Sequence, residues 1–266
     1  MNLLLQDLAA RDIVPRLYYK EKIASLTRSP LLLGSVTIRS LDVHGYTAAE
    51  MDALKPIVFT LPRLDCLSIR TASLSDEYPV KYVFSLQPGD IVPPVRTLCL
   101  RNICFDPKQA DVWAECLQHN TLRHLELDGC METMDLLTCL TGCLLGLTSL
   151  AIRAKYNTQL ETQQLSNKQG PFLSEVRCLS AFSGYNLSQQ ILPTVVSRHG
   201  TNLQQLRFCE MPYLSRFRVR DDWDSSSEDI RNLAPQLPNL PRLEINLEVG
   251  DRLVSSSSCT SEEETR

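Results

Sequence analysis

The sequence predicts an α/β fold built from one repeated unit, with parallel strands on a concave face and helices on the outside. Three observations indicate this. A leucine-x-x-leucine-x-apolar phrase recurs along the chain, the segments between its copies look amphipathic and helical, and 43% of the residues are hydrophobic, enough for a continuous core. A strand followed by a helix, many times over, gives parallel strands with helices packed outside them.

The repeat is marked by the first residue of each leucine-x-apolar pair. Steps of 25 to 37 residues separate the successive markers, which are Leu41, Leu67, Leu98, Leu125, Leu150, Leu179, Leu206 and Leu243. Leucine-rich repeats have a period of about 20–29 residues. Because leucine-x-apolar has the period of a strand, both apolar residues point into the interior. The sequence therefore predicts a leucine-rich-repeat solenoid, or horseshoe.

The predicted solenoid occupies residues 36–250 and contains about eight repeats. Residues 1–35 are predicted to form an N-terminal helical cap. Residues 251–266 are rich in serine and glutamate. Such low-complexity composition predicts a disordered acidic tail.

Candidate helices lie between the copies of the phrase. Asp111–His119 follows Pro107, a residue type that suits a helix start. Asn186–Arg198 opens on an asparagine, which caps helices, and ends before Gly200. A serine and a glutamate at the two ends of 225–228 have the spacing of a capping box.

The longest steps contain insertions. Thr71–Pro94 holds five proline and glycine residues in its second part and is predicted to be an extended loop. Tyr213–Asp224 carries three arginines followed by three aspartates. Insertions in repeat proteins map to loops on one face, where they either contribute to binding or are simply solvated. Both interpretations stay open for Tyr213–Asp224.

Charge and composition exclude several classes of partner. The chain has 27 Lys+Arg against 31 Asp+Glu, without the basic excess of a nucleic-acid-binding protein. Met1–Ala10 lacks the basic start of a signal peptide, so the ten cysteines are expected to be reduced thiols of a cytoplasmic or nuclear protein. Leu136–Ile152 is uncharged, but it is short for a membrane span and is interrupted by threonine and glycine. We expect neither a nucleic-acid nor a membrane partner.

Several segments resemble the fungal F-box/leucine-rich-repeat proteins. Val14–Tyr18 is similar to the Pro-x-Leu-Tyr that follows the F-box in that family. Arg28–Leu32 and Val36–Leu41 look like the first strand region of its repeats, and Leu125–Cys130 is similar to its cysteine-containing repeat. The resemblance covers roughly Val14 to Leu247.

This family presents substrates to a cullin ubiquitin ligase through an adaptor that grips the F-box. The resemblance implies that this chain carries the substrate-recognition part. Thirteen residues precede Val14 and none of them forms the Leu-Pro-x-Glu opening of an F-box, so the chain is expected to begin after that module or within its last helix. An F-box adaptor is an expected partner if an F-box lies upstream. The alternative is a stand-alone leucine-rich-repeat scaffold unconnected to ubiquitin.

The sequence gives little support for a catalytic site or a metal site. There are four histidines, and neither a Gly-x-Ser-x-Gly elbow nor a Gly-Lys-Ser/Thr phosphate loop is present. Cys116, His119, His124 and Cys130 are zinc-ligand types, but structural zinc sites have tighter paired spacing. We therefore expect no enzyme activity, no cofactor and no metal.

The concave face is the predicted binding site. Residues that flank the buried leucines alternate outward along each strand. Those predicted to contact a protein or peptide partner are Asp42, His44, Arg70, Arg101, His124, Glu126, Asp128, Arg153, Phe182, Arg207 and Glu244. Blocks of alternating charge suit a partner with complementary potential. The alternative is that these are ordinary solvated strand positions.

Overall fold

A computed structural model of the chain describes residues 16–17, 39–45, 52, 55–56, 58–59, 61, 63–71, 86–105, 107–117, 121–153, 171–185, 187, 191–209 and 232–245. Within these residues, nine strands form one sheet in chain order, and each strand is parallel to the next. The strands are β1 (Arg16–Leu17), β2 (Ser40–Gly45), β3 (Cys66–Thr71), β4 (Thr97–Arg101), β5 (His124–Asp128), β6 (Ser149–Arg153), β7 (Ala181–Tyr185), β8 (Gln205–Cys209) and β9 (Arg242–Ile245). This confirms the predicted α/β class and its parallel sheet.

The side chains of the sheet alternate between a buried side and an exposed side. The buried side carries two inner rows. The first inner row is Leu41, Leu67, Leu98, Leu125, Leu150, Phe182 and Leu206, and the second is Val43, Ile69, Leu100, Leu127, Ile152, Gly184 and Phe208. The apolar rows, repeated strand after strand, form the core of the sheet.

The opposite side of the sheet is called the open face here. Its strand positions fall into three rows that run across the sheet in register. They are Cys66, Thr97, His124, Ser149, Ala181, Gln205 and Arg242; then Asp42, Ser68, Cys99, Glu126, Ala151, Ser183, Arg207 and Glu244; and then Arg70, Arg101, Asp128, Arg153 and Tyr185. Residues distant in the sequence therefore become neighbours across one or two strands.

A repeated backbone contact fixes this register. The carbonyl oxygen just before one strand accepts hydrogen bonds from two successive N–H groups at the start of the next strand. At Asp65 the donors are Arg96 N (2.8 Å) and Thr97 N (3.0 Å). The same paired contact is made by the carbonyls of Arg39, Arg96, Arg123, Thr148 and Ser180. Since a slip of one residue would break both bonds, each repeat is locked onto its predecessor.

Three helices with both ends in the described residues lie between strands: α1 (Pro107–Leu117), α2 (Thr133–Cys139) and α3 (Ile191–His199). Residues 52, 55–56, 58–59, 171–175 and 232–233 are also helical, and Ala234–Gln236 forms a 3₁₀ turn. Helix α1 begins at the predicted proline itself, whose missing N–H is not needed at a first position. It buries Trp113, whose ring meets Phe105 edge to face at 5.9 Å, and it packs against α2.

One part of the predicted repeat is wrong. The sequence pattern placed the sixth pair three residues too early, at Leu179 and Ala181, and put Phe182 on the exposed face. Phe182 instead pairs with Leu150 and Leu206 in the first inner row and is 1% exposed, so it is a core residue. Leu179 is the buried leucine three residues earlier in the phrase. In β7, phenylalanine replaces the leucine of the first inner position, and glycine replaces the larger apolar residue of the second. The leucine-x-apolar pattern therefore does not detect this pair.

Other predictions differ from the structure in detail, or lie outside the described residues. The two described residues of the predicted helical cap form β1, a strand rather than a helix. Helix α3 begins at Ile191, later than predicted. Within Thr71–Pro94, residues 86–94 form turns without helix or strand. The 251–266 tail, Tyr213–Asp224 and the 225–228 capping box lie outside the described residues.

The uncharged stretch 136–152 is divided between the end of α2, a series of turns and β6. Among the residues that the structure describes, no helix is both long enough and apolar enough to cross a membrane.

Candidate functional site

The open face brings together nearly all the residues that the sequence predicted there. Nine of them occupy outward strand positions: Asp42, Arg70, Arg101, His124, Glu126, Asp128, Arg153, Arg207 and Glu244. The backbone of His44 pairs with that of Arg70, while the side chain of His44 lies outside the described part. Phe182 is absent from this face because its ring is in the core.

Ion pairs join the middle strands β4, β5 and β6. Arg101 Nη2 lies 2.9 Å from Glu126 Oε1, and Arg101 Nε lies 3.8 Å from Asp128 Oδ2. Arg153 Nη1 lies 3.3 Å from the same Asp128 oxygen. The parallel register causes this, because it sets Arg101, Asp128 and Arg153 side by side on consecutive strands. One carboxylate thus holds two guanidinium groups in place.

An aromatic link continues the network towards the last strand. The guanidinium of Arg153 lies over the ring of Tyr185, 4.8 Å from its centre. The hydroxyl of Tyr185 accepts a hydrogen bond from Arg207 Nη1 at 2.8 Å, and Arg207 Nε lies 2.6 Å from Glu244 Oε2. A cation over an aromatic face contributes about 0.5–1 kcal/mol at exposed sites. The network therefore runs without a break from β4 to β9.

Tyr185 is the residue of this network that the sequence reasoning missed. The misplaced sixth pair also misplaced every outward position of β7. The signal was present in the chain: Tyr185 follows Phe182 by three residues, as Arg153 follows Leu150 and Asp128 follows Leu125. Aligning the third open-face row would have found it.

A second group of polar side chains lies between β4 and β5. Cys99, His124 and Glu126 each offer a ligand atom, and these atoms all lie within 4.8 Å of one another. The Cys99 thiol approaches Glu126 Oε2 at 3.6 Å, and His124 Nδ1 lies 2.7 Å from Ser149 Oγ. Burial, and then the negative charge of Glu126, raise the pKa of Cys99 to about 12. Burial lowers the pKa of His124, which favours the neutral imidazole.

This group is not the set of metal-ligand types that the sequence singled out. Cys116 belongs to α1, and burial raises its pKa to about 11. Cys130 is buried and its thiol donates to the carbonyl of Leu100. His119 lies outside the described residues. The structure thus separates Cys116 and Cys130 from His124 and gives His124 different neighbours.

Comparisons with known proteins add nothing to this description. No protein-family model matches the sequence, and a search of curated proteins finds no matching relative. The resemblance to F-box/leucine-rich-repeat proteins therefore stays a prediction from the segments quoted above.

Proposed function

We propose that this chain is a leucine-rich-repeat horseshoe whose open face binds a protein or peptide segment. The observation that carries the proposal is the unbroken network of charged and aromatic side chains across β4 to β9. Such a network holds long side chains in fixed positions, so less conformational entropy is lost when a partner binds them.

The horseshoe shape follows from the spacing of the two kinds of element. Neighbouring strands lie about 4.8 Å apart, whereas packed helices need about 8–10 Å. If helices cover the other side of the sheet, the strand side becomes the shorter arc and curves inward. The open face would then be the concave surface, which solenoid proteins generally use for binding.

The chemistry of the face suggests what kind of partner fits. Along the face, the cations Arg70 and Arg101 are followed by the anion Asp128, then by Arg153, and at the far end by Glu244. From β3 to β9 the open face spans roughly 30 Å at the usual strand spacing. Mixed signs over that length suit an extended peptide or a protein surface of complementary alternating charge rather than a nucleic-acid backbone.

The test compares two charge swaps that leave the net charge unchanged. Arg207→Glu with Glu244→Arg reverses an ion pair on the open face, and Lys108→Glu with Glu115→Lys exchanges two charges on the exposed side of α1. A photo-reactive residue at Ser183 identifies partners by crosslinking in cells, and affinity is then measured with the purified partner. We expect the open-face swap to weaken binding at least tenfold and the helix swap to leave it within twofold. Equal effects of the two swaps would contradict the proposal.

The pathway is a second, separate proposal: substrate recognition for an F-box-type ubiquitin ligase, in the cytoplasm or nucleus, without catalytic activity of its own. Its support is the sequence resemblance. The alternative, a scaffold unconnected to ubiquitin, makes the same use of the open face.

A pull-down with the purified F-box adaptor separates these two. Adaptor capture by this chain, or by a version extended upstream at its native locus, supports the ligase. If neither form captures the adaptor, the ubiquitin link fails and the scaffold alternative remains.

A further inference from the structure

Three metal-ligand side chains converge on the open face, although they are far apart in the sequence. Cys99 is the central residue of β4, and His124 and Glu126 lie on β5. The register places Cys99 directly beside Glu126, and His124 precedes Glu126 on the same face. One ligand atom of each residue lies within 4.8 Å of the other two. A thiol, an imidazole and a carboxylate together are a ligand set typical of zinc.

The spacing of the ligand atoms is close to that of a tetrahedral zinc site. Zinc binds sulfur at about 2.3 Å, and nitrogen and oxygen at about 2.0–2.2 Å, which places the ligand atoms about 3.3–3.7 Å from one another. Cys99 Sγ and Glu126 Oε2 already lie 3.6 Å apart. The other separations are at most 4.8 Å and need to close by up to about 1.5 Å. Side-chain rotation alone covers that distance.

The register neighbours of these side chains on the open face are small. In the same open-face row, Ser68 and Ala151 lie on either side of Cys99 and Glu126, and Thr97 and Ser149 lie on either side of His124. All four are small. An ion seated between β4 and β5 would therefore meet short side chains on both flanking strands.

Ser149 and Arg101 contact two of the three candidate ligand residues. The contact of Ser149 Oγ with His124 Nδ1 occupies one ring nitrogen, so Nε2 is the candidate ligand atom of His124. Arg101 occupies Glu126 Oε1 and leaves Oε2 directed at Cys99. Zinc-binding histidines and carboxylates usually have such outer partners, which fix ring orientation and ligand position.

We propose that Cys99, His124 and Glu126 bind one Zn²⁺, with the fourth coordination position directed to the open face. On binding, the Cys99 thiol releases its proton to solvent and the sulfur–zinc bond forms. The thiolate and the carboxylate of Glu126 then balance the charge of the ion. All three ligands belong to this chain, so the proposed zinc site does not depend on the proposed partner. A water, or a side chain of a bound protein, would complete the coordination.

The first test is zinc binding by the full chain, freed of metal and titrated in competition with a chromophoric chelator. We expect one Zn²⁺ per chain, and at least a hundredfold loss of affinity in Cys99→Ser and in His124→Asn. Cys178→Ser is the matched control, because Cys178 is an exposed thiol that is not one of the three proposed ligands. The zinc affinity of this variant is expected to equal that of the unaltered chain. No binding, or an equal loss in Cys178→Ser, would overturn the proposal.

The second test uses Co²⁺ as a spectroscopic substitute and does not depend on the folding of a variant. The unaltered chain is expected to show tetrahedral bands and the charge-transfer band of one thiolate. A Co²⁺ spectrum without that band would overturn the assignment of Cys99.

Cys66 on β3 tests the open position, because it lies on the same face of the strand beside β4, two residues before Ser68, the register partner of Cys99. Cys66→Ser is expected to keep zinc affinity within threefold. A loss equal to that in Cys99→Ser would show a closed four-residue site and would overturn the open fourth position.

Discussion

The strands β4 to β6 and the strands β7 to β8 fill the same inner rows with different side chains. The first region uses a leucine or isoleucine at each inner position. The second uses Phe182 and Gly184 on β7, then Leu206 and Phe208 on β8. A Cβ added at Gly184 would lie 3.0 Å from the Phe208 ring, so the glycine makes space for that ring. A small residue on one strand is thus matched by a large residue on the next, so the inner rows can be filled by side chains other than leucine.

The two regions also differ on the open face. Ion pairs connect the charged side chains of β4 to β6, with Asp128 between Arg101 and Arg153. From β6 to β8 the connection passes through Tyr185, which accepts one cation on its ring and another at its hydroxyl. Exposed ion pairs contribute little to folding stability, whereas their arrangement strongly affects recognition. We therefore expect the inner rows to determine stability and the open face to determine binding.

The largest expected effect comes from a truncation in the regular region. Leu127→Ala removes a side chain that is 1% exposed and is flanked by Leu100 and Ile152. We expect a loss of about 2–5 kcal/mol in the free energy of unfolding, measured by chemical denaturation, because the cavity cannot fully collapse. Leu145→Ala is the control, since Leu145 is 41% exposed, and it should cost well under half of that loss.

A smaller effect is expected from filling the glycine position of β7. Gly184→Val is expected to lower the free energy of unfolding by about 1–3 kcal/mol, because the added atoms meet Phe208 and Leu187. The double variant with Phe208→Val should cost less than the sum of the two single variants by more than about 0.5 kcal/mol. Strict additivity would show that the two positions do not share volume.

The third effect is a pH dependence centred on α3. His199 is fully buried and its Nε2 donates to the carbonyl of Leu173, and burial lowers the pKa of His199. The unfolded chain therefore takes up a proton more readily than the folded chain. Stability should be constant above about pH 7 and should fall below about pH 6.5, by at most about 1.4 kcal/mol for each pH unit from this group.

Denaturation curves between pH 8 and pH 5 would check this loss. His199→Gln keeps a donor for Leu173 and should show a shallower decline than the unaltered chain. His124, whose pKa is also lowered, contributes in the same direction, so His124→Asn measures its share. An unchanged slope in His199→Gln would exclude His199 as the source.

The smallest expected effects on stability come from the open face. Tyr185→Phe keeps the ring under Arg153 and loses the hydrogen bond from Arg207, at a cost of about 0.5–1.5 kcal/mol. Asp128→Asn weakens two ion pairs that are partly exposed and should cost about 0–1 kcal/mol. Thermal denaturation measures both. If Asp128→Asn lost more stability than Leu127→Ala, the expectation that the inner rows rather than the open face determine stability would be wrong.

The regular repeats were readable from the sequence because one local rule governs them. At Leu98, Leu125 and Leu150 the leucine-x-apolar phrase and the strand coincide, so the outward residues Arg101, Asp128 and Arg153 were placed correctly. At β7 the rule failed. Phe182 and Gly184 do not match the leucine-x-apolar pair, and the glycine leaves space for the ring of Phe208 on the next strand.

The sequence by itself determined that this chain forms consecutive parallel strands with an apolar side and a charged side. It could do so because alternation along a strand is a local property of the backbone. Only the tertiary structure decided which side chains meet across the strands. The grouping of Cys99 with His124 and Glu126, and the position of Tyr185 between Arg153 and Arg207, depend on register. Register is set by hydrogen bonds between residues 24–33 positions apart on successive repeats, and packing in the inner rows selects among the alternatives.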